Sequence, residues 1–463
     1  MNGELPSATE TLARMLKARS VAIVGASDDP RKLGYATLAT LVSGGYDGKV
    51  YPVNPKAGTV QGLPAFSSLS AIPAQIDLAV IIVPAVAVAG VVREAATKGA
   101  SGTIIHSGGF RESGNIALEV GLVRAARDAG LRFLGPNIQG AIYTPNRLSA
   151  VFWPSVKRLG SIGVVSQSGT VTGALCDRSN DDGLGLSAAI NLGNQADLCE
   201  SDVIEFLATD EHTRAIAIYM EGARDGRRFL ETAARAAQQK PIVILKTGRT
   251  AGGAAATASH TGSLAGRDEV FSAACRQYGL VRVDDVDSLY DSAKALAMLP
   301  SPADNQVLIV TSSGGSGALA VDEAERHGLS VPRLTPDLVD QLRQINLPPF
   351  ASFANPVDLA MVAAEPFKDV ALKAKSFNAA DIFLFIFGDP TPGSAVVVQE
   401  VAARLHAPIA VCCYGGGGVE KEETAKMHAA GIPVFPTPER AIRGIAATVR
   451  YAQFRQAPPA QGE

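Results

Sequence analysis

The chain has 463 residues, 47% hydrophobic and 19% charged, with a net charge of −3 at neutral pH. That length and apolar content suit roughly two to four globular domains, and the charge balance excludes a basic field for nucleic acid or an acidic membrane. No apolar run reaches the ~18 residues of a membrane span, residues 1–20 lack the apolar stretch of a secretion signal, and the five cysteines, without CxxC or metal-type spacing, read as reduced thiols of a cytoplasmic protein.

Short Val- and Ile-rich runs recur, each ending in Gly, Pro, Asn or Ser. The first set is VAIVGAS (21–27), KVYPVNP (49–55), DLAVIIVP (77–84), GTIIHSGG (102–109) and RFLGPN (132–137). Stretches with helical spacing, such as AVAVAGVVREAATKGA, lie between them. Continuous apolar strands alternating with helices predict parallel sheets covered on both faces, which gather ligands at the carboxyl ends of their strands. A second set follows at GSIGVVSQSG (160–169), LSAAINLG (186–193), RAIAIYMEG (214–222), PIVILKTG (241–248) and GLVRVDDV (279–286). After the Pro-rich break AMLPSPADNQ (297–306), a third set contains VLIVTSSGG (307–315), DIFLFIFG (381–388) and PIAVCCYGG (408–416). The pattern predicts three α/β domains, 1–155, 156–303 and 304–455, and a disordered tail at 456–463.

In the first domain, VAIVGASDDPRKLGYAT is a strand, a glycine turn and a helix start, and the backbone N–H groups of Gly25, Ala26 and Ser27 suit phosphate. A tight turn with no ligand is the plain alternative. The motif is not GxGxxG, because the next glycine after Gly25 is Gly34. The second strand ends in YPVNPK, offering Asn54 and Lys56 where a dinucleotide enzyme places an acid for the ribose hydroxyl. A cation there suits a phosphorylated ribose, as in NADP or coenzyme A, and Arg31 and Lys32 add charge beside the first turn. The ends IIVPAV, HSGGF and GPNIQG complete a crevice of backbone and small polar groups. His106 lies on a strand beside it and reads as core or lining.

The second domain carries TASHTGSLAG (257–266), an imidazole among small residues. Alone, His260 reads as a solvated loop histidine. A neutral imidazole nitrogen is also a nucleophile for phosphorus, small neighbours leave room for a phosphoryl group, and the upstream LKTGRTAGGAAATA reads as a flexible arm. VVSQSGTVTGAL supplies an anion turn, with Ser166, Ser168, Gly169 and Thr170 at a helix start. Glu221, at the strand end IYMEG, could hold the imidazole tautomer that leaves Nε2 free. Together these favour a phosphorylated histidine.

On SHTGSLAG, followed by FSAACRQYGLVRVDDVDSLYDSAKAL, and on VGASDDPRKLGY, GKVYPVNPK, GPN, VSQSGT, LGNQADLCESDVIEFLATD, YMEG and NPVDL, the chain resembles the acyl-CoA synthetase (NDP-forming) superfamily over residues 10–450. Within it the resemblance is strongest to α subunits of ADP-forming acetate–CoA ligases, and more distant to those of succinyl-CoA synthetase. It implies a Rossmann-like CoA-binding domain followed by two flavodoxin-like domains of the succinyl-CoA-synthetase type. It also implies that His260 is the phosphorylated residue, supported by Glu221, with phosphate on Ser166, Ser168, Gly169 and Thr170. The CoA site would involve Gly25, Ala26, Ser27, Lys32, Lys56, Val83, Pro84, Ser107 and Gly108, with Asn137 near the thiol end. Family members often carry Cys after GPN; here Ile138 stands there, which points to a more apolar pocket by the thioester. Nothing after residue 303 resembles an ATP-grasp module, so ATP or ADP and Mg²⁺ are expected on a separate β subunit. The glycine run GGGGVEKEE reads as a plain turn. Rival readings are an ATP-independent acyl- or carbamoyltransferase and a silent CoA-binding protein, against which His260 and Glu221 weigh, and an NADP dehydrogenase, against which Asn54 and the missing GxGxxG weigh.

Overall fold

The computed structural model describes residues 5–153, 155–261, 267–360, 363–415 and 417–457, the side chains of 258–261 excepted. The chain divides into two compact units, residues 1–282 and 283–463. No described helix is long and apolar enough to cross a membrane.

The first unit begins with a parallel sheet made of β1 (Ser20–Val24), β2 (Lys49–Val53), β5 (Leu78–Ile81), β6 (Gly102–Ile105) and β7 (Phe133–Leu134), in the order β2-β1-β5-β6-β7. A small hairpin, β3 (Thr59–Val60) and β4 (Leu63–Pro64), follows β2. Every residue of β1, β5 and β6 is buried, because helices cover both faces. Burying one Val, Ile or Leu side chain contributes about 1.5–3 kcal/mol. Leu78, Val80 and Ile104 have no exposed surface, so these short strands anchor the crevice at their carboxyl ends.

A second sheet contains β8 (Gly140–Tyr143), β9 (Leu148–Val151), β10 (Leu159–Ser166), β11 (Leu186–Asn191), β12 (Ala215–Met220), β13 (Ile242–Lys246) and β14 (Val281–Val283), ordered β14-β13-β12-β10-β11-β8-β9. Strands β10 to β13 pair in parallel, whereas the hairpin β8–β9 joins antiparallel through Ile142 opposite Ala189. The sequence reading assigns residues 140–151 to the first domain; in space they extend the second sheet, because Tyr143 Oη donates to Asp210 in that sheet's layer, at 2.6 Å.

The second unit holds β15 (Val307–Thr311), β16 (Val357–Asp358), β17 (Ile382–Phe387), β18 (Ile409–Cys413) and β19 (Val434–Phe435), all parallel, in the order β16-β15-β17-β18-β19. Phe367 packs between Phe385 and Phe387, with ring centroids 5.8 and 4.4 Å away. Serine and threonine cap its helices: Ser313 Oγ accepts from Ser316 N–H, Thr335 from Leu338 and Thr437 from Arg440. Each such cap contributes about 1 kcal/mol. Gln456 ends the helix Pro438–Gln456, and of the tail expected to be disordered, residues 458–463 lie outside the described residues.

One expectation is corrected. The arm read as flexible forms the helix Ala251–Thr261. Its alanines outweigh its two early glycines, since alanine has the best helix propensity. The backbone of His260 lies in that helix, and its side chain is outside the described residues.

Candidate active site

A sheet whose chain leaves one central strand in two directions opens a crevice at that strand's carboxyl end. In the first sheet, β2 and β5 flank β1, so the crevice opens at Gly25. Gly25 has φ +98°, and a Cβ there would overlap the Ile82 carbonyl oxygen. The β1 turn and the end of β5 thus touch through backbone alone. Ala26 and Ser27 are buried, and Ser27 Oγ accepts from Asp29 N–H. Arg31 is held by Asp29 through Nε and Nη2, both at 3.0 Å, while Lys32 and Lys56 are exposed at the rim.

Asn54 is a brace as well as a rim residue. Its Nδ2 donates to the Ala26 carbonyl and its Oδ1 accepts from Lys56 N–H, each at 2.9 Å, which fixes the β2 end against the β1 turn. At the β5 end, Val83 N–H donates to Ser107 Oγ, and Pro84 precedes the helix Ala85–Thr97. At the β6 end, Ser107 is buried and its carbonyl accepts from Asn137 N–H at 3.0 Å; Asn137 has φ +61°, and its Oδ1 lies near Gly108. The turns that follow the strands of one sheet therefore carry Gly25, Ala26, Ser27, Asn54, Val83, Ser107 and Asn137. His106 is core: its Nε2 meets the Ala150 carbonyl at 3.2 Å, and burial pushes its pKa down to about 4. Ile138 is buried, its side chain packed against Gly135 and Gly193.

The second crevice opens at β10, flanked by β11 and β12. Ser166 is fully buried, and its Oγ donates to the Ser168 carbonyl at 2.8 Å. Ser168 caps the helix Gly169–Asp181 by accepting from Val171 N–H, and Thr172 N–H donates to the Ser168 carbonyl. Among the described residues, the N–H groups of Gly169 and Thr170 donate to nothing. Two free donors at the positive end of a helix dipole favour an anion. The β10–β12 register sets Ser166 opposite Tyr219, and Gln167 Oε1 accepts from Glu221 N–H, so the end of β12 meets the turn. Glu221 is buried.

Sequence reasoning missed the residues that lock this arrangement. Gln167 Oε1 accepts from the N–H groups of Glu221 and Gly222, and its Nε2 donates to the Gly222 carbonyl, so one amide clamps the β12 end to the turn. Asn191 Nδ2 donates to the Ser166 carbonyl at 2.9 Å while its Oδ1 accepts from Gln139 N–H at 2.8 Å. It thereby ties the loop after GPN to the phosphate turn. Asn194 bridges Asn137, Glu112 and Glu119. Amides with both ends satisfied rigidify such junctions, and Asn191 is buried as well. The only sequence signal was that Gln and Asn sit at strand ends.

Arg224, just beyond Glu221, donates to the Gln195 carbonyl, and Gln195 Oε1 accepts from Glu200 N–H. Glu200 is 1% exposed, and its Oε2 has no partner among the described residues. Burial, more than the nearby Asp202, raises its pKa from 4.5 to about 7. Between those pH values the folded chain holds a proton that the unfolded chain has lost, so stability falls as pH rises through the window. Glu200→Gln is expected to be about 3 kcal/mol more stable than the parent at pH 8 and equal to it near pH 4. Thermal melts at both pH values check this, and equal gains at both would rule out the buried charge as the cause.

Among the described residues, no group of three His, Cys, Asp or Glu side chains is placed to hold a metal. Two switch-point crevices, one backbone-lined and one anion-favouring, open in the first unit, an arrangement suited to a CoA-dependent ligase of the succinyl-CoA type. In agreement, residues 19–144 match the CoA-binding domain, residues 159–296 the succinyl-CoA ligase-like flavodoxin domain and residues 307–375 the ligase-CoA domain. The α subunit of ADP-forming acetate–CoA ligase I from Pyrococcus furiosus is 39% identical over 96% of this chain and 98% of its own. A solved structure of a dinucleotide-forming acetyl-coenzyme A synthetase from Candidatus Korarchaeum cryptofilum, in complex with phosphate and ADP, superposes with a TM-score of 0.88 at 35% identity, covering 96% and 97% of the two chains. The ADP-forming acetate–CoA ligase I of Archaeoglobus fulgidus is 36% identical, and the chain spans 64% of its length. The chain belongs to the family of ADP-forming acetate–CoA ligase α subunits.

Proposed function

We propose that this chain carries the acyl- and phosphoryl-transfer steps of an ADP-forming acid–CoA ligase. Acyl-CoA lies along the strand ends from Gly25 to Asn137, with Arg31, Lys32 and Lys56 available to its phosphates. Hydrogen phosphate binds on Ser166, Ser168, Gly169 and Thr170. A phosphate oxygen attacks the thioester carbonyl; the C–O bond forms, the C–S bond breaks, and the thiolate takes the hydrogen phosphate proton. The products are CoA thiol and an acyl phosphate. Nε2 of His260 then takes the phosphoryl group, releasing the carboxylate, while Glu221 holds Nδ1–H. Phosphohistidine passes its group to ADP with Mg²⁺ on an ATP-grasp β subunit in the cytoplasm. The reverse sequence makes acyl-CoA from the acid.

The observation that carries this reading is the pair of unpaired N–H groups at Gly169 and Thr170, in a turn whose Gln167 holds the backbone of buried Glu221 and which Asn191 ties to the loop bearing Asn137. It needs no nucleotide for its first half. The isolated chain, given labelled inorganic phosphate and acetyl-, isobutyryl- or phenylacetyl-CoA, is expected to acquire acid-labile, base-stable label. A chain that binds CoA yet takes no label from any of the three is a silent CoA-binding protein.

A further inference from the structure

Gln139 follows the loop that carries Asn137, and its backbone is fixed by Asn191. Its side chain lies directly over the phosphate turn. A Cβ built on Gly169 would overlap the Gln139 side chain and come 2.5 Å from Nε2. Only glycine at 169 leaves that space to the carboxamide. Among the described residues the carboxamide makes no hydrogen bond, although it sits within contact of the open end of a helix. An amide with a free N–H beside two free backbone N–H groups completes a three-donor cradle.

The second unit supplies the contrast. A Cβ on Gly314, at its first glycine turn, would lie 2.8 Å from a carboxylate oxygen of Asp358, and one on Gly417 would lie 2.7 Å from a carboxylate oxygen of Glu420. Each of those turns is covered by a negative charge, which repels phosphate. The turn at Gly169 is covered by a neutral donor.

We infer that Gln139 is a further phosphate-binding residue, whose Nε2–H donates to the anion held at Gly169 and Thr170. It also stands between the thiol end of the CoA crevice and that anion, at the place where the acyl group must cross. This inference rests on the phosphate assignment made above.

The test is CoA release from the best-cleaved of acetyl-, isobutyryl- and phenylacetyl-CoA, titrated with inorganic phosphate. Gln139→Leu is expected to raise the KM for phosphate about tenfold, with kcat changed less than about threefold, as for loss of a hydrogen bond made equally in ground and transition states. Gln139→Glu raises it further, because it recreates the carboxylate-covered turn of the second unit. Gln139→Asn, a shorter amide, falls between parent and Leu variant. An unmoved phosphate KM in Gln139→Leu, or a change confined to the thioester KM, overturns the assignment while leaving the ligase reading intact. If the parent cleaves none of the thioesters, the ligase reading fails, and equilibrium binding of labelled phosphate to parent and Gln139→Leu decides the residue on its own: about tenfold weaker binding supports it, and equal binding removes it. Should Gln139→Leu fail to fold, the Glu variant carries the same comparison.

Discussion

In Glu221→Gln, label from inorganic phosphate is expected to reach the chain about 100-fold more slowly than in the parent, and in His260→Ala not at all. The position of Glu221 is over-determined. Parallel pairing sets Ser166 opposite Tyr219, two residues before Glu221. Gln167 grips its backbone N–H and that of Gly222, so the carboxylate leaves the strand from a fixed point. It is buried, so the charge acts with little screening by solvent. A carboxylate so placed orients a neutral imidazole by accepting its Nδ1–H and stabilises the positive ring that forms when Nε2 takes a phosphoryl group. Glutamine keeps the shape and removes the charge, so the fold should persist and the thermal melt should match the parent. Rapid-quench labelling, with acid and base stability of the label, measures the rate. Parent-like labelling in Glu221→Gln would dismiss the carboxylate as the histidine's support, and label surviving in His260→Ala would place the phosphoryl carrier elsewhere.

Much of this arrangement was legible in the residues themselves. The strand ends announced by Gly25, Asn54, Val83, Ser107 and Asn137 do fall along one sheet edge, because a buried parallel strand must end in a turn whose residues are small or polar. SQSG is readable as a helix start for the same reason: serine caps a helix and glycine opens it. What escaped was long-range. The segment GAIYTPNRLSAV shows no change of composition from its neighbours, yet it forms a hairpin on the other sheet. The clamp by Gln167 and the tie by Asn191 depend on which strands become neighbours, and periodicity says nothing about strand order. The helix Ala251–Thr261 departs from the flexible arm that a Gly- and Ala-rich stretch suggests, because its alanines favour helix. Asn54 shows the mixed case: its place at the rim was foreseen, but its amide is taken up by Ala26 and Lys56 backbone.

Gly25→Ala is expected to destabilise the first unit by about 3–5 kcal/mol, and to weaken CoA binding at least about tenfold. Two independent effects add. The φ of +98° is disfavoured for any residue with a Cβ, and that Cβ would overlap the Ile82 carbonyl oxygen. Neither neighbour can yield cheaply. Ile82 N–H is bonded to the Val24 carbonyl, and Gly25 N–H to the Val53 carbonyl, so all three strands at the crevice would have to part together. On the other side, a Cβ on Gly34 would overlap the Gly25 carbonyl oxygen, so the turn has no room to retreat toward the helix either. Gly90 is the internal control. It lies in the helix Ala85–Thr97 with nothing within 4 Å of a built Cβ, so Gly90→Ala should be neutral or stabilising by up to about 1 kcal/mol. Calorimetry should therefore show the Gly25→Ala unit melting on the order of 5–10 °C below the parent, with Gly90→Ala at or above it. Equilibrium CoA titration should separate the two in the same direction. A Gly25→Ala protein that melts and binds CoA like the parent would mean that β1 and β5 do not meet through bare backbone, and the crevice would lose its floor.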